Sequence, residues 1–205
     1  MATTGTTRLR RPQRLPGLEP LAMTDASGDR SLSWNVAGLL SDGVGATRTY
    51  DVHDVSIELP EGLELAEPIV GQVRLSRTNR GILVGAQLAT SLAGECARCL
   101  RPLTSPIDFE LEEEYLPSID LTSGRPLDTA AEPEALRLTD HHELDLEPSV
   151  RDAISLAEPI APLDRPDCPG LCVVCGLPLD EGDHDHPDDD IDPRLEALKG
   201  FRPVD

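Results

Sequence analysis

Between residues 50 and 115 apolar and polar positions alternate, and period-two alternation predicts strands that bury one face. Val52 to Leu59 alternates Val, Ile and Leu with polar residues and stops at Pro60-Glu61-Gly62, a turn sequence. Ile69 to Ser76 and Ile82 to Leu92 flank Arg77-Thr78-Asn79-Arg80-Gly81. Asn79 and Gly81 can take positive backbone angles, so the two runs are expected to pair as a hairpin. In Ile107 to Tyr115 the apolar Ile107, Phe109 and Leu111 alternate with Asp108, Glu110 and Glu112, which puts the carboxylates on the face away from the core.

Helical spacing occurs in three places. Trp34, Val36, Leu39 and Leu40, ahead of glycines at 43 and 45, predict a short helix within Ser33 to Val44. A mixed Pro, Ser, Gly and Asp stretch over 117–135 reads as a mobile loop, and Leu136 to Leu144 as another short strand. Asp145 then caps a helix with Pro148 in its first turn and Val150, Ala153, Ile154 and Ala157 along one side, ended by Pro159 and Pro162. After the acidic run from Asp180 to Asp192, Leu195, Leu198 and Phe201 predict a short amphipathic helix over Ile191 to Phe201.

Together these elements predict an α+β protein, an antiparallel β-rich domain with one or two short helices and a Cys/His metal knuckle near the C-terminus. Residues 1–30 are expected to be a loosely ordered arm and 31–166 the β-rich domain. Residues 167–205 are expected to hold the knuckle, the acidic run and a terminal helix packed back on that domain.

Composition narrows the functions open to such a fold. Trp34, Tyr50, Phe109, Tyr115 and Phe201 are the only aromatic residues, so the core must be aliphatic. Against 38 Asp and Glu stand 18 Lys and Arg, a formal charge of -20, which repels polyphosphate and attracts basic partners. Direct RNA contact is disfavoured on that ground; the one basic cluster, Arg8, Arg10, Arg11 and Arg14, lies in the N-terminal arm. No apolar run approaches the ~20 residues a bilayer requires, and no hydrophobic segment of signal type follows the N-terminal arginines, so a cytoplasmic protein without membrane contact is expected.

In that compartment closely spaced cysteines point to metal or redox chemistry. Cys172-Val-Val-Cys175-Gly has the spacing of a knuckle, two thiolates reaching one ion with a glycine turning behind them. Cys168, His184 and His186 are local candidates to complete a zinc site. A long-range alternative joins Cys172 and Cys175 to Cys96 and Cys99, which could instead be a pair of buried thiols, a second metal-binding pair or a redox pair. A closed four-ligand zinc is structural, and there is no P-loop, dinucleotide fingerprint or nucleophile elbow, so neither enzymatic activity nor a small-molecule substrate is expected. His141-His142 beside Glu143 reads as solvent-facing.

Cys96-Ala-Arg-Cys99-Leu-Arg-Pro after a long strand, an acidic strand ending at Tyr115, Leu144-Asp-Leu-Glu at a helix start and Gly170-Leu-Cys-Val-Val-Cys-Gly-Leu-Pro-Leu179 resemble the YceD family of large ribosomal RNA subunit accumulation proteins. The resemblance spans roughly residues 35–205 and includes the closing Asp192-Pro-Arg-Leu-Glu-Ala-Leu-Lys199. Where Gram-positive relatives carry a Cys-x-Cys pair, this chain has His184-Asp-His186, which preserves two metal donors and favours the local site. Some members lack the knuckle and keep the earlier Cys-x-x-Cys, so the resemblance implies a structural metal. It further implies a role in accumulation of large-subunit (23S) ribosomal RNA and in ribosome biogenesis. Joined to the acidic charge, it predicts action through a basic ribosomal protein or assembly factor. A direct RNA-binding zinc module and a thiol redox-responsive protein are the alternatives.

Overall fold

A computed structural model describes residues 31–128, 130, 132–182, 184, 186 and 194. The expected N-terminal arm with its arginine cluster, most of the acidic run and the helix expected over Ile191 to Phe201 lie outside the described residues. The chain order is β1 (Ser33–Asn35), α1 (Ala37–Ser41), β2 (Thr47–Val55), β3 (Glu64–Arg77), β4 (Ile82–Glu95), β5 (Pro102–Tyr115), β6 (Glu143–Asp145) and α2 (Glu147–Ala157). β2 to β5 form an antiparallel sheet in sequence order, and β1 pairs with β6 as a separate two-stranded ribbon. Among the described residues the fold is α+β and antiparallel β-rich, with two helices.

Alternation sets which face is inside. Val73, Ala86 and Leu111 lie in register across β3, β4 and β5, as do Leu75, Val84 and Glu113, and the apolar members point inward. α1, α2 and the β1–β6 ribbon cover this face with Leu39, Leu40, Leu144, Leu146, Val150 and Ile154, all in one core cluster with the sheet. The other face is polar: Asp51, Gln72, Gln87 and Glu110 form one row, and Thr49, Arg74, Gly85 and Glu112 the next.

Several boundaries differ from the sequence expectation. Ser33 to Asn35 is a strand, because Trp34 pairs with Leu144 and stacks beside Tyr50, and the helix is confined to five residues after it. β2 begins at Thr47 and ends at Val55, five residues upstream of the expected start, since its register follows β3. Only Glu143 to Asp145 is a strand in the region expected to run from Leu136, and an isolated bridge joins Leu116 to Arg137. Residues 117–128 carry their own fastening: Asp120 Oδ1 accepts from the backbone N–H groups of Thr122 and Ser123, and Ile119 bridges Pro126. The α2 cap residue is Leu146, while the Asp145 carboxylate accepts from Glu147 N–H at 3.0 Å, one position earlier than a side-chain cap would sit.

The β3–β4 turn forms as a hairpin, but neither Asn79 nor Gly81 has a positive φ. Thr78 Oγ1 accepts from the backbone N–H of Arg80 and Gly81 instead. Gly81 is required by proximity: a Cβ there would stand 2.1 Å from the Tyr115 carbonyl oxygen.

Candidate metal centres

The β4–β5 connection is built as a knuckle. Cys96 N–H donates to the Arg101 carbonyl at 2.8 Å and Leu100 N–H donates to the Cys96 carbonyl at 3.0 Å, with Leu100 in the left-handed region at φ 59°. The later stretch repeats the same turn. Cys172 N–H donates to the Leu177 carbonyl at 2.8 Å and Gly176 N–H to the Cys172 carbonyl at 2.9 Å, with Gly176 at φ 72°. Folding back of N–H groups around the first cysteine favours its thiolate form.

Around the later knuckle, one donor atom each from Cys172, Cys175, His184 and His186 lies within 4.8 Å of the others. Cys175 Sγ is 3.6 Å from His184 Nδ1, and His184 Nε2 is 3.0 Å from the Pro178 carbonyl. That second contact fixes the ring so that Nδ1 faces the sulfurs, as metal-bound imidazoles are usually oriented. Hydrogen bonds from the backbone N–H of Cys175 and Val174 bring the Cys172 thiol down to about 6. The Pro178 carbonyl raises the His184 pKa. His186 Nε2 is buried with no hydrogen-bond partner, an orphan that a metal ion would satisfy.

Cys168 does not join this set. It lies with Cys96, Cys99 and Asp164 in a second group whose donor atoms also fall within 4.8 Å of one another. The reason is tertiary. Ala97 N–H donates to the Pro162 carbonyl at 2.8 Å and Arg98 donates to the Cys168 carbonyl at 2.9 Å, drawing the segment after α2 onto the first knuckle. The long-range four-cysteine alternative is not assembled either: Cys96 and Cys99 face Cys168, and Cys172 and Cys175 face the histidines. All five cysteines are free thiols. In the first group burial opposes ionisation of Cys96, but the backbone N–H groups of Cys99, Asp164 and Arg98 outweigh it and lower the thiol to about 7. Burial and donation to the Asp164 carboxylate push the Cys168 thiol up to about 12.

An ion-pair clamp links the two groups. Arg101 makes two bonds to Asp180, at 2.9 and 2.7 Å, and a third to Glu181 at 2.6 Å, while Arg165 reaches Asp180 at 2.7 Å. These guanidiniums hold the Asp180 carboxyl well below the usual range. Asp164, Arg101, Arg165 and Asp180 were not distinguishable in the sequence, where carboxylates and arginines are too common for any one to stand out. Of the paired histidines, His141 is exposed as expected, whereas His142 is partly buried with Nδ1 lacking a partner.

An open antiparallel sheet with one thiol-rich knuckle at its β4–β5 connection and a second in the segment after α2 defines a class of small α+β proteins organised by Cys/His clusters that could hold a metal ion. Residues 84–202 match the family model described as "Large ribosomal RNA subunit accumulation protein YceD", and the chain belongs to that family. It is similar to an uncharacterized protein of Mycobacterium tuberculosis, 37% identical over 157 residues, covering 73% of this chain and 72% of the relative. A second, from Mycobacterium leprae, is 31% identical over 133 residues, covering 64% and 58% of the two chains. No solved structure gives a significant match. No helix among the described residues is long and apolar enough to cross a membrane.

Proposed function

We propose that this protein is a cytoplasmic, non-enzymatic factor that supports accumulation of large-subunit ribosomal RNA by binding a basic ribosomal or assembly protein on the open face of its sheet. The family description supplies the process. The observation that carries the partner is the row of Asp108, Glu110 and Glu112, exposed along β5 and repeating every second residue, about 7 Å apart. Across from them on β4 are Ala89, Gln87 and Gly85, with the Gln87 amide donating to Glu110 at 3.2 Å, and beyond β4 lie Gln72, Arg74 and Asp51. A strand or helix bearing Lys or Arg at matching intervals fits this face, and the net charge of -20 steers it there.

In this reading Cys172, Cys175, His184 and His186 hold a zinc ion. Four protein ligands leave no open position, so the ion supplies a cross-link and no chemistry of its own. The chain's residues shape the site: the backbone turn favours thiolate at Cys172 and the Pro178 carbonyl orients His184.

Capture of partners from lysate by the tagged full-length chain tests the proposal. A basic ribosomal or assembly protein should be recovered at low salt and released at high salt. Replacing Asp108, Glu110 and Glu112 with Lys should reduce recovery by at least about tenfold. Equal recovery by the charge-reversed variant, salt-insensitive recovery or recovery of no such protein would overturn it.

A further inference from the structure

Three sulfurs and one carboxylate meet where the first knuckle touches the segment after α2. Cys96, Cys99 and Cys168 are 0–4% exposed and packed under Leu103, Leu163 and Leu171. We propose that Cys96, Cys99, Cys168 and Asp164 form a second zinc site, separate from the Cys172, Cys175, His184 and His186 set, with the Asp164 carboxylate as fourth ligand.

The distances carry the proposal. A tetrahedral zinc places two thiolates about 3.8 Å apart, and a thiolate and a carboxylate oxygen about 3.6 Å apart. Cys96 Sγ lies 3.7 Å from Cys168 Sγ and 3.5 Å from Asp164 Oδ1. A disulfide needs sulfurs at about 2.05 Å, so the geometry is that of ligands around a shared ion.

The orientation of Asp164 is equally specific. Its Oδ1 faces the sulfurs, while Oδ2 faces Arg101 at 3.7 Å and Arg165 at 3.8 Å. One oxygen is presented to the site and the other is held by guanidiniums, which is how a ligating carboxylate is steadied. Three thiolates and a carboxylate would leave a zinc centre with a net charge of about -2. Arg101, Arg165 and Arg98, which donates to the Cys168 carbonyl, are placed to offset it. The match between this turn and the one at Cys172, down to the left-handed residue after the second cysteine, gives the first Cys-x-x-Cys the same capacity as the second. A sulfur-rich tetrahedral site selects zinc over hard cations. Bound there, the ion would join residues 72 positions apart and fasten the C-terminal segment to the sheet.

The two sites can be counted separately in the full-length chain, purified without air. Elemental analysis should find two zinc ions per wild-type chain. The variant Cys172→Ser with Cys175→Ser should keep one, and its cobalt-substituted form should show sulfur-to-cobalt absorption. Asp164→Cys should retain two ions, and in the Cys172→Ser, Cys175→Ser background it should raise that absorption by about one third as three thiolate bonds become four. Cys168→Ser should lose one ion and keep the other. A Cys172→Ser, Cys175→Ser protein that retains its strand signal in circular dichroism but binds neither zinc nor cobalt would overturn the site. So would unchanged absorption after Asp164→Cys, or a disulfide among Cys96, Cys99 and Cys168 in the wild-type chain. Should Cys168→Ser fail to fold, the other two variants decide the question.

Discussion

Leu100 and Gly176 occupy equivalent positions in the two knuckles, and only one of them suits its backbone. A residue with a Cβ in the left-handed region costs roughly 1 kcal/mol, while glycine gives back some 0.5–1 kcal/mol through its freer unfolded chain. Leu100 is more than half exposed, so replacing it removes little packing. Leu100→Gly should therefore be neutral to about 0.5 kcal/mol stabilising, and Gly176→Ala about 1 kcal/mol destabilising. Denaturant midpoints measured side by side in zinc-supplemented buffer provide the check, and a destabilising Leu100→Gly would refute the equivalence of the turns. The same pair shows what a residue discloses. The glycine made Cys172 to Gly176 legible as a knuckle, whereas Cys96 and Cys99, followed by Leu100, could be read equally as a second metal-binding pair, a redox pair or buried thiols. Asp164 was invisible because only the fold brings it to Cys96, 68 positions earlier.

At the scale of elements, alternation was the legible quantity. The inward faces of β3, β4 and β5 follow from their apolar positions, and α2 from Val150 and Ile154. Strand ends were less legible, because pairing extends a strand past its own pattern: β3, β4 and β5 each run 14 residues, through Glu64, Glu95 and Pro102. β1 was missed since three residues carry no period and only pairing with β6 makes them a strand. Gly81 gives the clearest test of element packing. Backbone stands on the far side of its missing side chain, so Gly81→Ala must shift the β3–β4 turn away from Tyr115 and should cost about 1–3 kcal/mol. Gly85, four residues on and inside β4, has open space beside it and should accept alanine with less than about 0.5 kcal/mol change. Thermal unfolding of the two variants compares close backbone approach in the turn with strand propensity in the strand that follows it.

For the molecule as a whole, the partition of five cysteines between two knuckles is the feature that spacing alone did not decide. Local order favoured Cys168 with its neighbours, and the fold placed it with Cys96 because Arg98 and the Pro162 carbonyl bring the two segments together. What then holds the second knuckle against the first is the clamp of Asp180 between Arg101 and Arg165. Its pH dependence has a definite sign. The folded-state pKa of Asp180 lies below its ordinary 3.8, so the clamp's contribution is fully present above that ordinary value and fades as pH falls through the lower folded one. Between about pH 5 and 7 the clamp should hold steady, and any loosening there belongs to protonation at Cys172 and His184 instead. Below about pH 4 the carboxylate begins to protonate where the chain is open, and the clamp weakens. Amide hydrogen exchange of residues 168–182 follows this directly. Asp180→Asn should exchange severalfold faster than wild type at pH 6, and the ratio should narrow steadily as pH falls from about 4 to 2, because acid progressively removes from the wild type what the variant already lacks. A constant ratio between the two across that range would show that Asp180 acts through packing and not through its charge.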